Sequence, residues 1–330
     1  MFNNKTILIT GGTGSFGQSF VRYLINKNLK KIIIFSRDEN KQYEMQKEFP
    51  TSAFKNIRYF LGDIRDLERL KLAFNNVDFI VHAAAIKQIV AAEYNPFEAI
   101  KTNIIGTQNV INASLDCGVK KVILLSTDKA CSPINLYGAT KLAAEKLFTT
   151  AKNYSHNSTK FSVVRYGNVD GSRGSVIPLF VECSKKNILP ITEKTMTRFS
   201  IAMEHAIKMV EWSLINLGQG EILVPKIPSY RLIDLAKCFT GCKLNYIGRR
   251  DGEKFHEELI TINESINSIE LKNYFLILNS NNSKEIEKYI KIFKGKKIHN
   301  PFSYNSFDNK NFLKLIDLNK IIKNVQNNIS

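Results

Sequence analysis

Cysteine is scarce in this chain of 330 residues. There are five, at 117, 131, 183, 238 and 242. None forms a C-x-x-C pair, which excludes a zinc ribbon or a dithiol redox motif. The odd count and the lack of a recognisable secretory signal point to a reducing, cytoplasmic setting. Long hydrophobic runs are also missing. The apolar run Thr6–Thr10 is too short for a signal core, and no stretch reaches the roughly 18 apolar residues of a membrane span, so no membrane partner is expected. The histidines at 156, 205, 256 and 299 do not fall at ligand spacing with carboxylates, so they are read as structural and no metal is expected. Acidic residues are outnumbered, 30 against 47 Lys plus Arg, giving a formal charge of +17. Basic runs such as Lys30–Lys31 and Lys185–Lys186 are short, and no basic stripe interleaved with aromatics appears. Nucleic acid is therefore not an expected partner.

With 44 % hydrophobic residues the chain can bury a core, which excludes intrinsic disorder. The excess charge has two readings: lysines scattered over solvated faces, or a field that attracts a phosphorylated ligand. The first half alternates short β-branched runs with longer helical patterns. Strands are expected over Lys5–Ile9, Lys31–Phe35, Ile57–Leu61, Asp78–Ala84, Lys121–Ser126 and Phe161–Arg165. Helices are expected over Ser15–Asn26, Glu39–Phe49, Leu67–Asn75, Asn95–Gly118 and Leu136–Thr150. Continuous apolar strands alternating with helices imply an α/β fold, a doubly wound parallel sheet covered on both faces. After about Tyr166 the rhythm breaks. The expected division is a dinucleotide-binding Rossmann domain over 1–165 and a smaller α+β substrate-binding region over 166–330, with strands exchanged between the two. Beyond 263 the chain is Asn- and Lys-rich, with one helical stretch near Glu285–Phe293.

Gly11, Gly14 and Gly17 follow the first strand and open the first helix, within Thr10-Gly11-Gly12-Thr13-Gly14-Ser15-Phe16-Gly17. Without Cβ atoms, such a turn lets a pyrophosphate lie against amide groups at the positive end of the helix. Gly17 lets that helix pack tightly on the strand. The second strand ends in Ser36-Arg37-Asp38. An acidic tip suits the ribose of NAD, whereas Ser36 and Arg37 suit the 2′-phosphate of NADP; the reading favours NADP, and Asp38 keeps NAD open. Asp63 is placed to accept from an adenine amino group, and Asp66 reads as a helix N-cap. Small residues at 83–85 leave room for the dinucleotide.

The fifth strand ends in Ser126-Thr127-Asp128-Lys129, and Tyr137-Gly138-Ala139-Thr140-Lys141 opens the next helix. Tyr137 and Lys141, four apart, share one helix face. An ammonium there is expected to lower the phenol pKa, so that the tyrosinate takes a proton from a sugar hydroxyl as hydride leaves its carbon.

In order along the chain, TGGTGSFG, GDIRD, HAAA, STDK and YGATK make it resemble the extended short-chain dehydrogenase/reductase family. FSRDE, HAAAIK, SPINLYGATK, RYGNVDGSRGSVIP, TRF and GEKFHE make it look most like the inverting UDP-N-acetylglucosamine 4,6-dehydratases of pseudaminic acid and capsular polysaccharide biosynthesis. The resemblance implies a lyase that oxidises C4, eliminates water across C5 and C6, and returns hydride to C6, with C5 inversion. It implies Thr127, Asp128, Lys129, Tyr137 and Lys141 as catalytic residues, with Asp128 the acid and Lys129 the base. A neutral Lys129 requires a lowered pKa, for which burial and the charges of Lys87 and Lys141 are the expected causes. Gly11, Thr13, Gly14, Ser15, Phe16, Gly17, Ser36, Arg37, Asp38, Lys41, Asp63, Ile64, Ala83, Tyr137 and Lys141 are the implied cofactor contacts. Lys87, Asn168, Arg173, Arg198, Arg250 and Glu253 are the implied UDP-sugar contacts, with Arg250 on the diphosphate and Glu253 on a ribose hydroxyl. Tyr304, Asn305, Ser306 and Asn309 resemble a further substrate-contacting segment, and Glu93 and Asn103 buttress the site. The helices over 95–118 and 136–150 are where this family pairs subunits, so a homo-oligomer (dimer or hexamer) is expected. The chain departs from the family pattern at Gln88, Val90, Asp170 and Asp251, and carries Cys131 beside the catalytic strand. Two other readings stand beside this one: a C4 epimerase or reductase on the same scaffold, and a non-catalytic dinucleotide-binding regulator.

Overall fold

The computed structural model describes residues 2–154, 159–280 and 282–329. Seventeen strands are found among them: β1 (Thr6–Thr10), β2 (Lys31–Ser36), β3 (Ile57–Leu61), β4 (Phe79–His82), β5 (Lys121–Thr127), β6 (Lys160–Tyr166), β7 (Asn168–Val169), β8 (Ile188–Ile191), β9 (Thr197–Ile201), β10 (Gln219–Pro225), β11 (Ser229–Arg231), β12 (Lys243–Tyr246), β13 (Glu258–Ile260), β14 (Ser268–Glu270), β15 (Tyr274–Ile277), β16 (Lys296–Lys297) and β17 (Tyr304–Asn305). The main sheet runs β16-β14-β15-β10-β6-β5-β4-β1-β2-β3. Pairing is parallel from β3 through β10 and antiparallel beyond it. The strand order turns back between β1 and β4, so the crevice beyond their C-terminal ends is a topological switch point. This is a doubly wound α/β fold. The strands are continuous apolar runs because helices cover both faces: every residue of β1 and β4 is buried.

The expected helices are present within a residue or two at their ends, with one difference. The expected helix over 95–118 is Pro96–Ile100, then a π turn over Lys101–Ile105, then Gly106–Asp116. The wide turn carries Asn103, whose side chain donates to Ile86 O and Thr140 Oγ1 and accepts from the Ile86 amide. A π turn at a functional site is common, because the extra residue re-aims a side chain.

Beyond Tyr166 the chain does two jobs. It returns to the main sheet through β10, β14, β15 and β16, and it builds three small sheets, β11-β9-β7, β12-β8 and β13-β17. Strands β8, β11 and β12 contribute to a second apolar core of Ile177, Phe180, Leu189, Ile191, Leu235 and Leu318 with their neighbours, whereas β7, β9 and β13 pack into the main core. The periodicity of the sequence missed β14, β15 and the helix Leu315–Ile329. These strands are three and four residues long. They are strands because β10 offers a sheet edge, not because their own pattern repeats.

Candidate active site

Helix Ser15–Ile25 begins where the glycine turn leaves β1. Its N-cap, Gly14, has no side chain to accept from the first-turn amides, so these donors remain available to an anion. Two glycines are sterically enforced. A Cβ on Gly11 would lie 2.8 Å from Ala84 Cα, at a φ of +65°, and one on Gly17 would lie 2.4 Å from the Gly12 carbonyl oxygen. Thr13, Ser15 and Phe16, together with Ala83, Ala84 and Ala85, line the same cavity. The donor set and the cleared backbone fit a dinucleotide pyrophosphate.

At the tip of β2, Asp38 caps the helix Glu39–Glu48. It accepts from the Lys41 amide and pairs with Lys41 Nζ at 2.9 Å. Arg37 is exposed, 3.8 Å from Asp63. Asp63 is held by Arg65 through three hydrogen bonds, which limits its freedom to accept from an adenine. Ser36, Arg37, Lys41, Asp63 and Ile64 all line the cavity. Asp66 is the N-cap that the sequence suggests, accepting from the Arg69 amide.

The cavity is about 890 Å³ and crosses the C-terminal ends of the parallel strands. It reaches Thr127, Lys129, Tyr137 and Lys141, and then Lys87, Asn168, Arg173, Arg198, Arg250 and Glu253. Asp128 is fully buried behind this wall and is the one expected catalytic residue outside the lining. Its Oδ1 accepts from Thr127 Oγ1 at 2.8 Å and from Lys129 Nζ at 3.0 Å, while Oδ2 has no partner. Burial pushes the Asp128 carboxyl up, the charge of Glu257 pushes it further, and Lys129 opposes both. This environment favours the protonated carboxyl more than water does.

Two electrostatic expectations are corrected. Lys129 is not depressed. Burial favours the amine, but Asp128 and Glu257 outweigh it and raise the pKa above the ordinary lysine value. The Tyr137 phenol is not lowered either. Burial pushes it up to about 12, with the Lys129 charge and a hydrogen bond to Thr127 opposing. Lys141 does not touch the phenol: its Nζ donates to Leu125 O at 2.7 Å, and burial lowers it to about 8. It is Lys87 that is lowered, by burial first and then by Lys129 and Arg173.

The substrate-side expectations divide. Lys87 Nζ donates to Arg173 O at 2.7 Å, and the Arg173 amide donates to Ser15 Oγ, so this loop meets the glycine turn. Asn168 Oδ1 stands 3.4 Å from Lys129 Nζ. Arg198 is buried, and Glu253 pairs with it at 2.8 Å through Oε1, while Glu253 Oε2 has no partner. Arg250 and Asp251 line the cavity. Asp170 turns away from it and accepts from Ser200 Oγ; burial raises its pKa to about 6. In the 304–309 segment the polar side chains are engaged with the scaffold. Tyr304 OH and Asn309 Nδ2 donate to Ile227 O, Asn305 bonds Ser303 and Asp308, and Ser306 Oγ bonds Thr197 and the Glu257 amide. None of the four lines the cavity. Glu93 accepts from the Leu136 amide at the start of the helix Leu136–Thr150, which carries Tyr137 and Lys141.

The residue that sequence reasoning passed over is Glu257. It is 2 % exposed, lines the cavity, and stands 3.2 Å from Lys129 Nζ. It closes the GEKFHE motif, which was the available signal. Among the described residues His82 is a core group between Thr10 and Thr107, with burial lowering it to about 3. His205 and His256 pack against Tyr274 and Phe307, and His156 lies outside the described residues. Cys131 is buried with its thiol pushed up by burial, and all five cysteines are free. Among the described residues no cluster suits a metal ion, and no helix is long and apolar enough to cross a membrane.

Residues 7–279 match the family described as polysaccharide biosynthesis protein. The chain is 48 % identical to the UDP-N-acetylglucosamine 4,6-dehydratase (inverting) of Campylobacter jejuni subsp. jejuni serotype O:23/36, over 99 % of each chain. It is 44 % identical to the UDP-glucose 4-epimerase of Rickettsia bellii, over 84 % of each. Among solved structures it superposes on Pen from Bacillus thuringiensis with a TM-score of 0.89 and 38 % identity, covering 98 % of this chain and 99 % of that one.

Proposed function

The chain belongs to the polysaccharide biosynthesis protein family, and from that premise we propose that it is a nucleotide-sugar 4,6-dehydratase acting on UDP-N-acetylglucosamine, with inversion at C5. One observation carries the choice over the epimerase reading: the Asp128–Lys129 contact of 3.0 Å beside Tyr137. Oxidation at C4 needs a proton acceptor only. Elimination of water needs an acid for the 6-hydroxyl and a base for C5 as well, and this pair is one of each.

The nicotinamide dinucleotide, when bound, takes hydride from C4 and later returns it to C6. The glycine turn and Ser15 would hold its pyrophosphate, and Lys141 its nicotinamide ribose. The reading favours NADP. Asp38 is spent on capping a helix and on Lys41, so the β2 tip presents Arg37 and Lys41 rather than a free carboxylate. Tyr137 accepts the C4 hydroxyl proton once ligands shift its pKa below the about 12 of the protein alone. Lys129 takes the C5 proton in the amine form it reaches by passing a proton to Asp128 across 3.0 Å, Asp128 gives that proton to O6, and water leaves. Arg198, Arg250, Arg173 and Lys87 supply positive charge for a diphosphate. Exposed Tyr94, Phe97 and Ile105 on the 89–116 helical face support self-association of the family kind.

The test is incubation with UDP-N-acetylglucosamine in D2O. The expected product has lost one water, carries a 4-keto group and has deuterium at C5. Recovery of a C4-epimerised sugar at unchanged mass would establish the epimerase reading instead.

A further inference from the structure

One ionised group in the cavity wall has no part in the chemistry above. Glu257 Oε1 stands 3.2 Å from Lys129 Nζ and 3.9 Å from Arg198 Nε, and Oε2 has no hydrogen-bond partner. The backbone is fixed on both sides: the Glu257 amide donates to Ser306 Oγ, and the Ser306 amide donates to Glu257 O. A buried carboxylate with one unpaired oxygen is expensive to keep, so packing alone does not account for it.

We propose that Glu257 is a positioning residue for the elimination step, acting through Lys129 and Asp128. It stands 3.2 Å from Lys129 Nζ, as Asp128 does at 3.0 Å, and its negative charge favours a proton on that pair. The proposal rests on the dehydratase reading.

The proton balance shows why a third group is needed. Elimination starts with Asp128 as the acid, Lys129 as the amine and Glu257 as the carboxylate. The C5–H bond breaks, its proton bonds to Lys129 Nζ, and its electron pair forms the C5–C6 double bond. The C6–O bond breaks, and the departing oxygen takes the Asp128 proton and leaves as water. The cluster ends as carboxylate, ammonium and carboxylate, with its charge unchanged. One proton hop from Lys129 Nζ to Asp128 Oδ1, across 3.0 Å, restores the acid and the base.

Glu257 acts on both ends of that hop. Its charge raises Asp128, on top of burial, and raises Lys129 against burial. It remains a carboxylate itself: burial works against the charge, but Lys129, Arg198 and Lys254 hold it below the usual range. The other groups facing the cluster are Thr127 and Asn168 on Asp128 and Lys129, Tyr137 and Lys87 near Lys129, and Tyr230 and Glu253 against Arg198.

The test is the pH dependence of kcat for the full-length protein, loaded with cofactor, with UDP-N-acetylglucosamine as substrate. Glu257→Gln keeps an oxygen for Lys129 and removes the charge. Both limbs of the profile are expected to move to lower pH, by on the order of one unit, and kcat above neutral pH to fall on the order of tenfold with KM little changed. A 4-keto sugar that still carries its 6-hydroxyl accumulates, trapped by reduction with borodeuteride. Glu257→Asp restores the charge and is expected to bring the limbs back toward the wild-type position. Wild-type limbs and kcat in Glu257→Gln overturn the proposal, as does a loss of activity in both variants with no shift of the limbs. If the wild-type protein removes no water from the substrate, the dehydratase reading falls and the proposal with it, an outcome read before any variant is made.

Discussion

At one end of the cavity, where the glycine turn leaves β1, the wall is backbone. Gly11, Gly14 and Gly17 lie within seven residues of each other, and what they present is amides and cleared space. At the other end, under β5 and β6, the wall is charge. Asp128 and Lys129 come from the turn after β5, Arg198 from β9, and Glu253 and Glu257 from a loop more than a hundred residues beyond the lysine. A backbone site tolerates its surroundings, because its donors are fixed by local φ and ψ. A site of charges does not, because each member sets the protonation of the others. The same contrast explains why the Lys129 pKa rises although burial lowers it: Asp128 and Glu257 outweigh burial.

The sharpest way to break this comparison is at the bolt that joins the charged end to the helix Leu136–Thr150. Arg165 is fully buried between Glu145, one turn after Lys141, and Glu264, with Leu259 O as a further acceptor. Burial opposes ionisation of Glu264, but Arg165 holds it down to about 2. Arg165→Met leaves two carboxylates without a counter-ion and is expected to cost about 3–5 kcal/mol, read as a fall in the urea midpoint. A change under about 1 kcal/mol would show that the site does not depend on this triad.

The backbone end is sharpened by a pair of variants. Gly17→Ala drives a Cβ to 2.4 Å from Gly12 O and is expected to cost about 1–3 kcal/mol, with weaker dinucleotide binding measured by titration. Gly14→Ala meets only the Gly11 carbonyl oxygen, at 3.2 Å and a φ of −76°, and is expected to stay within about 0.5 kcal/mol. Equal effects would mean that the motif spacing, rather than the steric contact, governs the turn.

A pH-dependent effect is expected at Asp170, beside but outside the charged end. Its folded pKa of about 6 stands above the ordinary 3.8 because burial disfavours the carboxylate. The folded state therefore binds the proton more tightly, and stability falls as pH rises from about 4 to about 6, then levels. Asp170→Asn keeps an acceptor for Ser200. It is expected to raise stability by about 1–2 kcal/mol at pH 8, after allowance for partial exposure, and to give no gain below pH 4. A gain at both pH values would place its cause elsewhere than in titration.

Much of this was legible beforehand. The strand–helix alternation of the first half needs no partner to be read, because each strand is buried on both faces and announces itself as an apolar run. The glycine turn and the Tyr137–Lys141 pair are contiguous motifs. The short strands β14 and β15 were not legible, because the edge of β10 makes them strands. The scaffold bonds of Tyr304 and Asn309 are hidden for a related reason: residues of one chemical type serve a substrate or a scaffold according to which way the chain turns.

The sequence by itself determined the doubly wound sheet, the dinucleotide turn and the place of Asp128, Lys129, Tyr137 and Lys141 along the chain, since these follow from periodicity and from local backbone freedom. Tertiary structure alone decided that Asp128 sits behind the wall, that Arg198 takes Glu253, and that Glu257 faces Lys129. Those are encounters between segments far apart in the chain, and the protonation of each group depends on burial and on neighbours that no local pattern encodes.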